Sequence, residues 1–166
     1  MKTFTGIILA AATIAMIIYL AILGIHQEQR FTGHLKRAAD ANTVEIAIKE
    51  MSIALTYMEE NNLTSGYTSI FYRTPDEDIE FFYTNIKASL SELVAASNSD
   101  SQLERSNVLM KLRETLIDNG GDSGDDLTVP DGLSRYPHNA IYLMINIVLM
   151  VFWFGYVVWL IYDNAF

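Results

Sequence analysis

The residues with chemistry to offer in this 166-residue chain are three histidines and a glycine-rich acidic run. His26 and His138 stand at the inner ends of two long apolar stretches, where they can approach one another and offer imidazole ligands to a metal or a haem. No His-Glu-x-x-His or similar pattern accompanies them, and histidine is common where an apolar body meets water. The acids between Asp118 and Asp126 are hard oxygen ligands of the type calcium takes. An EF-hand needs glycine sixth and glutamate twelfth, whereas counting from Asp118 places Ser123 and Val129 there, so a solvated linker is the better reading. Carboxylate pairs such as Glu59 with Glu60 and Asp76 with Asp78 lack the cleft that glycosidase-type acid–base chemistry requires. Ser65, Ser69, Ser89 and Ser91 lack a Gly-x-Ser-x-Gly elbow, and turn or cap use explains them. Asn62-Leu63-Thr64 is an N-glycosylation acceptor pattern, relevant only in a eukaryotic secretory compartment. With no cysteine, thiolate chemistry and disulfides are excluded. The expectation is a protein that is not an enzyme and holds no cofactor or metal.

The elements that must position these residues are dominated by two apolar runs, 7–25 and 140–162, free of acids and bases. About 20 such residues match the ~30 Å hydrocarbon core of a bilayer, so both read as transmembrane helices. The first is longer than the roughly 7 to 15 apolar residues of a cleavable signal, which favours a signal anchor. The expected division is a transmembrane helix over 1–26, a helical domain over 27–119, an acidic glycine-rich linker and extended return over 120–139, and a second transmembrane helix over 140–166. Arg30, Lys36, Arg37 and Arg135 outnumber Lys2, which by the positive-inside rule favours a cytoplasmic domain, but the rule weakens for loops beyond ~60 residues. The short Met-Lys tail fits an N-inside anchor, so the expectation is cytoplasmic termini and an extracytoplasmic or lumenal domain. Between His26 and His138 there are 19 acids and 10 bases. Such a surface repels phosphate backbones, and nucleic acid is not an expected partner.

Within the domain, Val44, Ile48, Met51, Leu55 and Met58 recur at helical spacing. No proline separates them from the first span, so that helix is expected to run on toward them, bending at Gly24 or Gly33, with Asn61-Asn62 and Ser65-Gly66 ending it. Thr74-Pro75-Asp76-Glu77 reads as the start of a second helix with Thr74 at the cap, carrying the stripe Ile79, Phe82, Ile86, Leu90 and Leu93. Ser99 with Gln102 opens a third, with Leu109, Leu112 and Leu116 on one face and a stop at Asn119-Gly120. Pro130 and Pro137 keep the return segment extended. The fold class is therefore an all-α membrane protein, two transmembrane helices flanking a small antiparallel three-helix bundle with an extended return.

Contact surfaces are the more informative signal. Tyr67, Phe71, Tyr72, Phe81, Phe82 and Tyr83 fall within seventeen residues, around a loop expected at the end of the domain distal to the membrane. They serve either as a partner patch or as a cap on the core. Gly6 with Ala10 and Ala11 with Ala15 give the small-xxx-small spacing of closely packed membrane helices. Asn146 is a polar group in hydrocarbon that should seek a bond across helices, and Trp153 sits deep enough in its run to face protein. Tyr67, Phe71, Tyr72, Asn146 and Trp153 are the candidate partner contacts.

The stretch HLKRAADANTVEIAIKEMSIALTYMEENNLTSGYTSIFYRTPDEDIEFFYTNIKASLSEL, followed by LERSNVLMKLRETLID, resembles uncharacterised two-span membrane proteins of cyanobacterial type, over His34 to Asp118. The resemblance implies a bacterial inner or thylakoid-type membrane and carries no activity with it. The order span, bundle, span is more loosely similar to the four-helix sensory modules of chemoreceptors and histidine kinases. The sequence ends four residues after the second run, so no HAMP, kinase or signalling coiled coil is expected behind it. The leading expectation is a non-enzymatic accessory or assembly subunit that meets other integral membrane proteins, or a membrane supercomplex, within the lipid bilayer. A ligand-sensing bundle signalling through a separate membrane partner is the alternative.

Overall fold

The computed structural model describes residues 2–118 and 126–165, so the expected stop at Asn119-Gly120 and most of the acidic linker lie outside the described residues. Among the described residues the regular structure is helical apart from one ladder of two-residue strands and an isolated bridge. Its first helix is continuous from the N-terminal run into the domain: α1 (Lys2–Gln27), a π turn (Glu28–Thr32) and α2 (Gly33–Ala39). The break in helical register has an identifiable cause. The Gly33 N–H donates to the Glu28 carbonyl five residues back, and a Cβ at Gly33 would stand 2.6 Å from that oxygen, so only glycine fits. The turn directs Phe31 into the core, where it is fully buried, stacked on Tyr57 at 5.6 Å and edge-on to Phe82 at 6.2 Å.

The first helix does not run on into the next amphipathic segment. It stops at Asp40, and α3 (Val44–Glu60) begins after Thr43, which adopts extended backbone and accepts from the Ile46 N–H. The chain thereby reverses, bringing Tyr57 back beside His26 and Phe31. The loop after α3 lies at the end of the domain where α1 enters, not at the distal end the sequence suggests. Asn62, at φ 56°, closes α3: Leu63 N–H reaches Met58 O at 2.7 Å and Asn62 N–H reaches Glu59 O at 3.2 Å, with Leu63 and Met58 both buried.

The start of α4 (Ile79–Ser97) also differs from the sequence expectation. Asp78 is the cap, its Oδ1 accepting from Glu80 N at 2.9 Å and Phe81 N at 3.1 Å. Thr74 opens only a 3-10 turn (Pro75–Glu77), and its hydroxyl donates to the Glu77 carboxylate at 2.6 Å. The reason is long-range: Thr68 N–H bonds Glu77 O and Ile79 N–H bonds Gly66 O, holding Asp78 extended in a bridge to Tyr67, so the helix cannot begin earlier. Likewise α5 (Gln102–Leu116) is capped by Ser101, which accepts from Glu104 N, and not by Ser99. Ser99 N–H still completes the last turn of α4 at Ala96 O, while its hydroxyl bonds the Glu104 carboxylate.

A single core takes Leu35 and Ala38 from α2, Met51 and Met58 from α3, Ile79, Ile86 and Leu93 from α4, and Leu112 and Leu116 from α5. The end of the first helix is thus a fourth helical contributor beside the three read from sequence. After α5, β1 (Ile117–Asp118) pairs antiparallel with β2 (Asp126–Leu127). Thr128 N–H then bonds Leu116 O at 2.9 Å, Leu133 is buried, and a 3-10 turn (Leu133–Arg135) leads to α6 (Asn139–Ala165). The first helix and α6 are both long and apolar enough to cross a membrane. They meet along one seam. Gly6, Ala10, Thr13, Met16 and Leu20 are half-buried, whereas Ala11 and Ala15 are exposed, because only one of the two small-residue rows can face α6.

Candidate functional site

The charged residue the core encloses most completely is Glu50, 2% exposed on the inner face of α3. An acid there is costly unless its oxygens are bonded, and both are. His34 Nδ1 donates to Oε2 at 2.6 Å and Arg37 Nη2 to Oε1 at 2.8 Å. His34 and Arg37 stand three positions apart on α2, so one helix face supplies both donors. The cluster bolts the end of the first helix to α3. A cleft of about 410 Å³ opens beside it, lined by Arg30, His34, Ser52, Thr56 and Tyr57. Burial pushes the Tyr57 phenol above its ordinary pKa, with Arg30 opposing the shift.

A second concave surface lies where the domain meets α6. It holds about 620 Å³ between the loop after α3, the return segment and the first turns of α6. Asn139 organises it, its amide donating to Thr68 O at 2.6 Å and Gly132 O at 3.2 Å. Tyr136 adds a phenol bond to Ser65 O at 3.0 Å. Glu77 faces this cleft, and its carboxyl is held below the usual carboxylate range chiefly by the Thr74 hydroxyl that donates to it. Thr68, only 3% exposed, keeps its hydroxyl without a protein partner, and the Ser69 hydroxyl and the side-chain carbonyl oxygen of Asn139 are likewise unpaired.

Comparison with protein-family models, curated proteins and solved structures finds no match. What the chain can do is therefore read from its own geometry.

The candidate partner contacts fall into different settings. Tyr67 is half-buried with the Arg73 guanidinium 5.3 Å above its ring. Phe71 and Tyr72 are 78% and 81% exposed on the rim of the larger cleft. Asn146 bonds within its own helix and not across to the other: its amide donates to Tyr142 O at 2.7 Å, the local bond that satisfies a donor most cheaply in an apolar surround. Trp153, half-buried, points to the first helix, its indole N–H donating to Thr13 Oγ1 at 3.0 Å, so it takes part in the seam. Gly6 lies under the Tyr156 phenol, which fills the place a side chain there would take, while Ala10 is half-buried on the same face.

His26 and His138 each sit beside a tyrosine, Tyr57 and Tyr142 respectively, and no group of three or more histidines and acids suited to a metal occurs among the described residues. Sequence reasoning passed over Glu50, although it falls on the stripe side of α3 immediately before Met51. Its position among Ala47, Met51 and Ala54, each fully buried, was the available signal.

Proposed function

We propose that this is a two-pass membrane protein whose first helix and α6 cross the bilayer. The residues between form an antiparallel, up-and-down helical domain on one side, and the whole serves as a non-enzymatic accessory subunit of a larger membrane assembly. Its termini lie in the cytoplasm and its domain outside, in a bacterial inner or thylakoid-type membrane. The observation that carries the scaffold reading is the Glu50 cluster: the charged groups that burial would tune for chemistry are consumed in joining the membrane helix to the domain. Apolar surface remains for contact. Leu103 and Met110, 71% and 59% exposed and two turns apart on α5, make a stripe suited to a neighbouring helix. The outer faces of α1 and α6 meet lipid and other spans.

Purification of the tagged chain from its native membrane in mild detergent tests this. A defined complex is expected, and Leu103→Glu with Met110→Glu should release the chain from it while leaving its helical content unchanged. Recovery of only the free chain, from wild type and variant alike, would sink the accessory reading. Orientation is read by impermeant maleimide: Asn107→Cys should label in intact cells, or in vesicles of known sidedness, and Asn164→Cys should not.

The continuity of the first helix favours one second reading, a sensor. A ligand held in the cleft at Arg30, His34 and Tyr57 would act on the same helix that crosses the membrane. That reading requires saturable stabilisation of the chain by a small molecule, growing with its concentration.

A further inference from the structure

The larger cleft has a position and a chemistry that belong together. It is walled on one side by Tyr142, Leu143 and Asn146, which begin about 4 Å and end about 10 Å along α6 from Asn139 at 1.5 Å per residue. The opposite rim is Ile70, Phe71 and Tyr72, whose large apolar side chains are 41%, 78% and 81% exposed. The tip of a loop from the domain is therefore level with the first two turns of a helix that crosses the bilayer. Aromatic side chains at that depth sit where headgroups give way to acyl chains. This placement disfavours a soluble partner on Phe71 and Tyr72.

The polar lining is rich in hydrogen-bond acceptors, with the hydroxyls of Ser69 and Thr74 beside them. The Asn139 carbonyl oxygen, the Glu77 carboxylate and the Asp131 carboxylate all accept hydrogen bonds. The Thr68 hydroxyl, more than nine-tenths buried in the same lining, has no protein partner. Arg135 is the cationic donor on the rim. A buried hydroxyl and carbonyl left unpaired cost stability, which a bound donor recovers. The matching ligand carries a compact group with several N–H donors next to a phosphate and attached to acyl chains.

We propose that this cleft is a binding site for an aminophospholipid of the phosphatidylethanolamine class. Its ammonium bonds the Asn139 oxygen, Thr68 and the acids, its phosphate faces Arg135, and its chains leave along Leu143 between α6 and the Phe71–Tyr72 rim. Choline headgroups have the same charge with no N–H donor, and glycerol headgroups bring a net negative charge to a lining with two acids. The site rests on the membrane reading above.

The test uses the full chain in nanodiscs made from equal parts phosphatidylethanolamine, phosphatidylcholine and phosphatidylglycerol, followed by mass spectrometry of lipid retained after mild detergent exchange. The ethanolamine lipid should be enriched about tenfold over the choline lipid, the factor equivalent to about 1.4 kcal/mol. Thr68→Val, which removes a hydroxyl without a protein partner, should abolish that preference without lowering thermal stability, and Glu77→Gln provides a second, independent loss. Equal retention of all three lipids, a preference for the glycerol lipid, or a preference untouched by both variants would overturn the site. A photo-crosslinker at Tyr72 that captures a polypeptide and no lipid would overturn it too. A chain that stays soluble without detergent and does not enter nanodiscs would instead overturn the membrane reading on which the site depends.

Discussion

Removing His34 should destabilise the domain more than neutralising Glu50, although the two form the same bond. Glu50 is 2% exposed, His34 20% and Arg37 66%. In His34→Ala the carboxylate stays in the core and loses its 2.6 Å donor, keeping only an arginine that is largely in water. Breaking a buried pair from the side that strands the charge costs ~3 to 5 kcal/mol, and the surviving Arg37 contact brings this to about 2 to 3 kcal/mol. In Glu50→Gln no charge is stranded, because His34 and Arg37 both reach solvent, and the amide oxygen still accepts one bond. The loss is about 1 kcal/mol, one hydrogen bond's net contribution. His34→Ala combined with Glu50→Leu should recover most of the single-variant loss, since an apolar side chain suits the surroundings of Ala47, Met51 and Ala54. Urea unfolding of the full chain in detergent, followed by helical circular dichroism, measures all three. Tryptophan fluorescence is a poor substitute, because Trp153 and Trp159 both lie in α6. Glu50→Gln costing more than His34→Ala would refute the reasoning, as would a double variant no better than His34→Ala.

Three further outcomes follow from local geometry. Asp78→Ala should cost ~1 kcal/mol by removing the acceptor for two backbone donors, whereas Thr74→Ala should cost less, as its hydroxyl serves only the Glu77 side chain; the same unfolding assay decides the order. Gly33→Ala places a Cβ 2.6 Å from the Glu28 oxygen and should cost ~1 to 3 kcal/mol, with faster amide exchange over residues 28–33 than in the rest of the first helix. Glu77, whose folded pKa is depressed, contributes stability that is present above the unfolded carboxylate pKa and lost as pH falls through the folded one. Thr74→Val should raise that folded pKa toward the ordinary value, read from the Glu77 side-chain carbon shift in an NMR titration.

The two apolar runs and the buried stripes of α3, α4 and α5 are legible in the sequence because both depend on short-range pattern: length sets what can cross a membrane, and helical spacing sets which face is apolar. Met51, Met58, Ile79, Ile86, Leu93, Leu112 and Leu116 are all buried, and Asn62 closes α3 as its residue type suggests. Periodicity does not say what a face packs against. The four residues between α2 and α3 reverse the chain, and that reversal alone sends the Phe71–Tyr72 loop to the α6 end of the domain. The cap of α4 moved from Thr74 to Asp78 because Gly66 and Thr68 bond the backbone of residues 77 and 79, a contact with no local signature. The partners of Glu50 and the unpaired oxygens of Thr68 and Asn139 arise in the same way. Groups far apart in sequence become neighbours only once the helices have packed, so burial, and with it the chemistry of a polar side chain, is decided by tertiary structure.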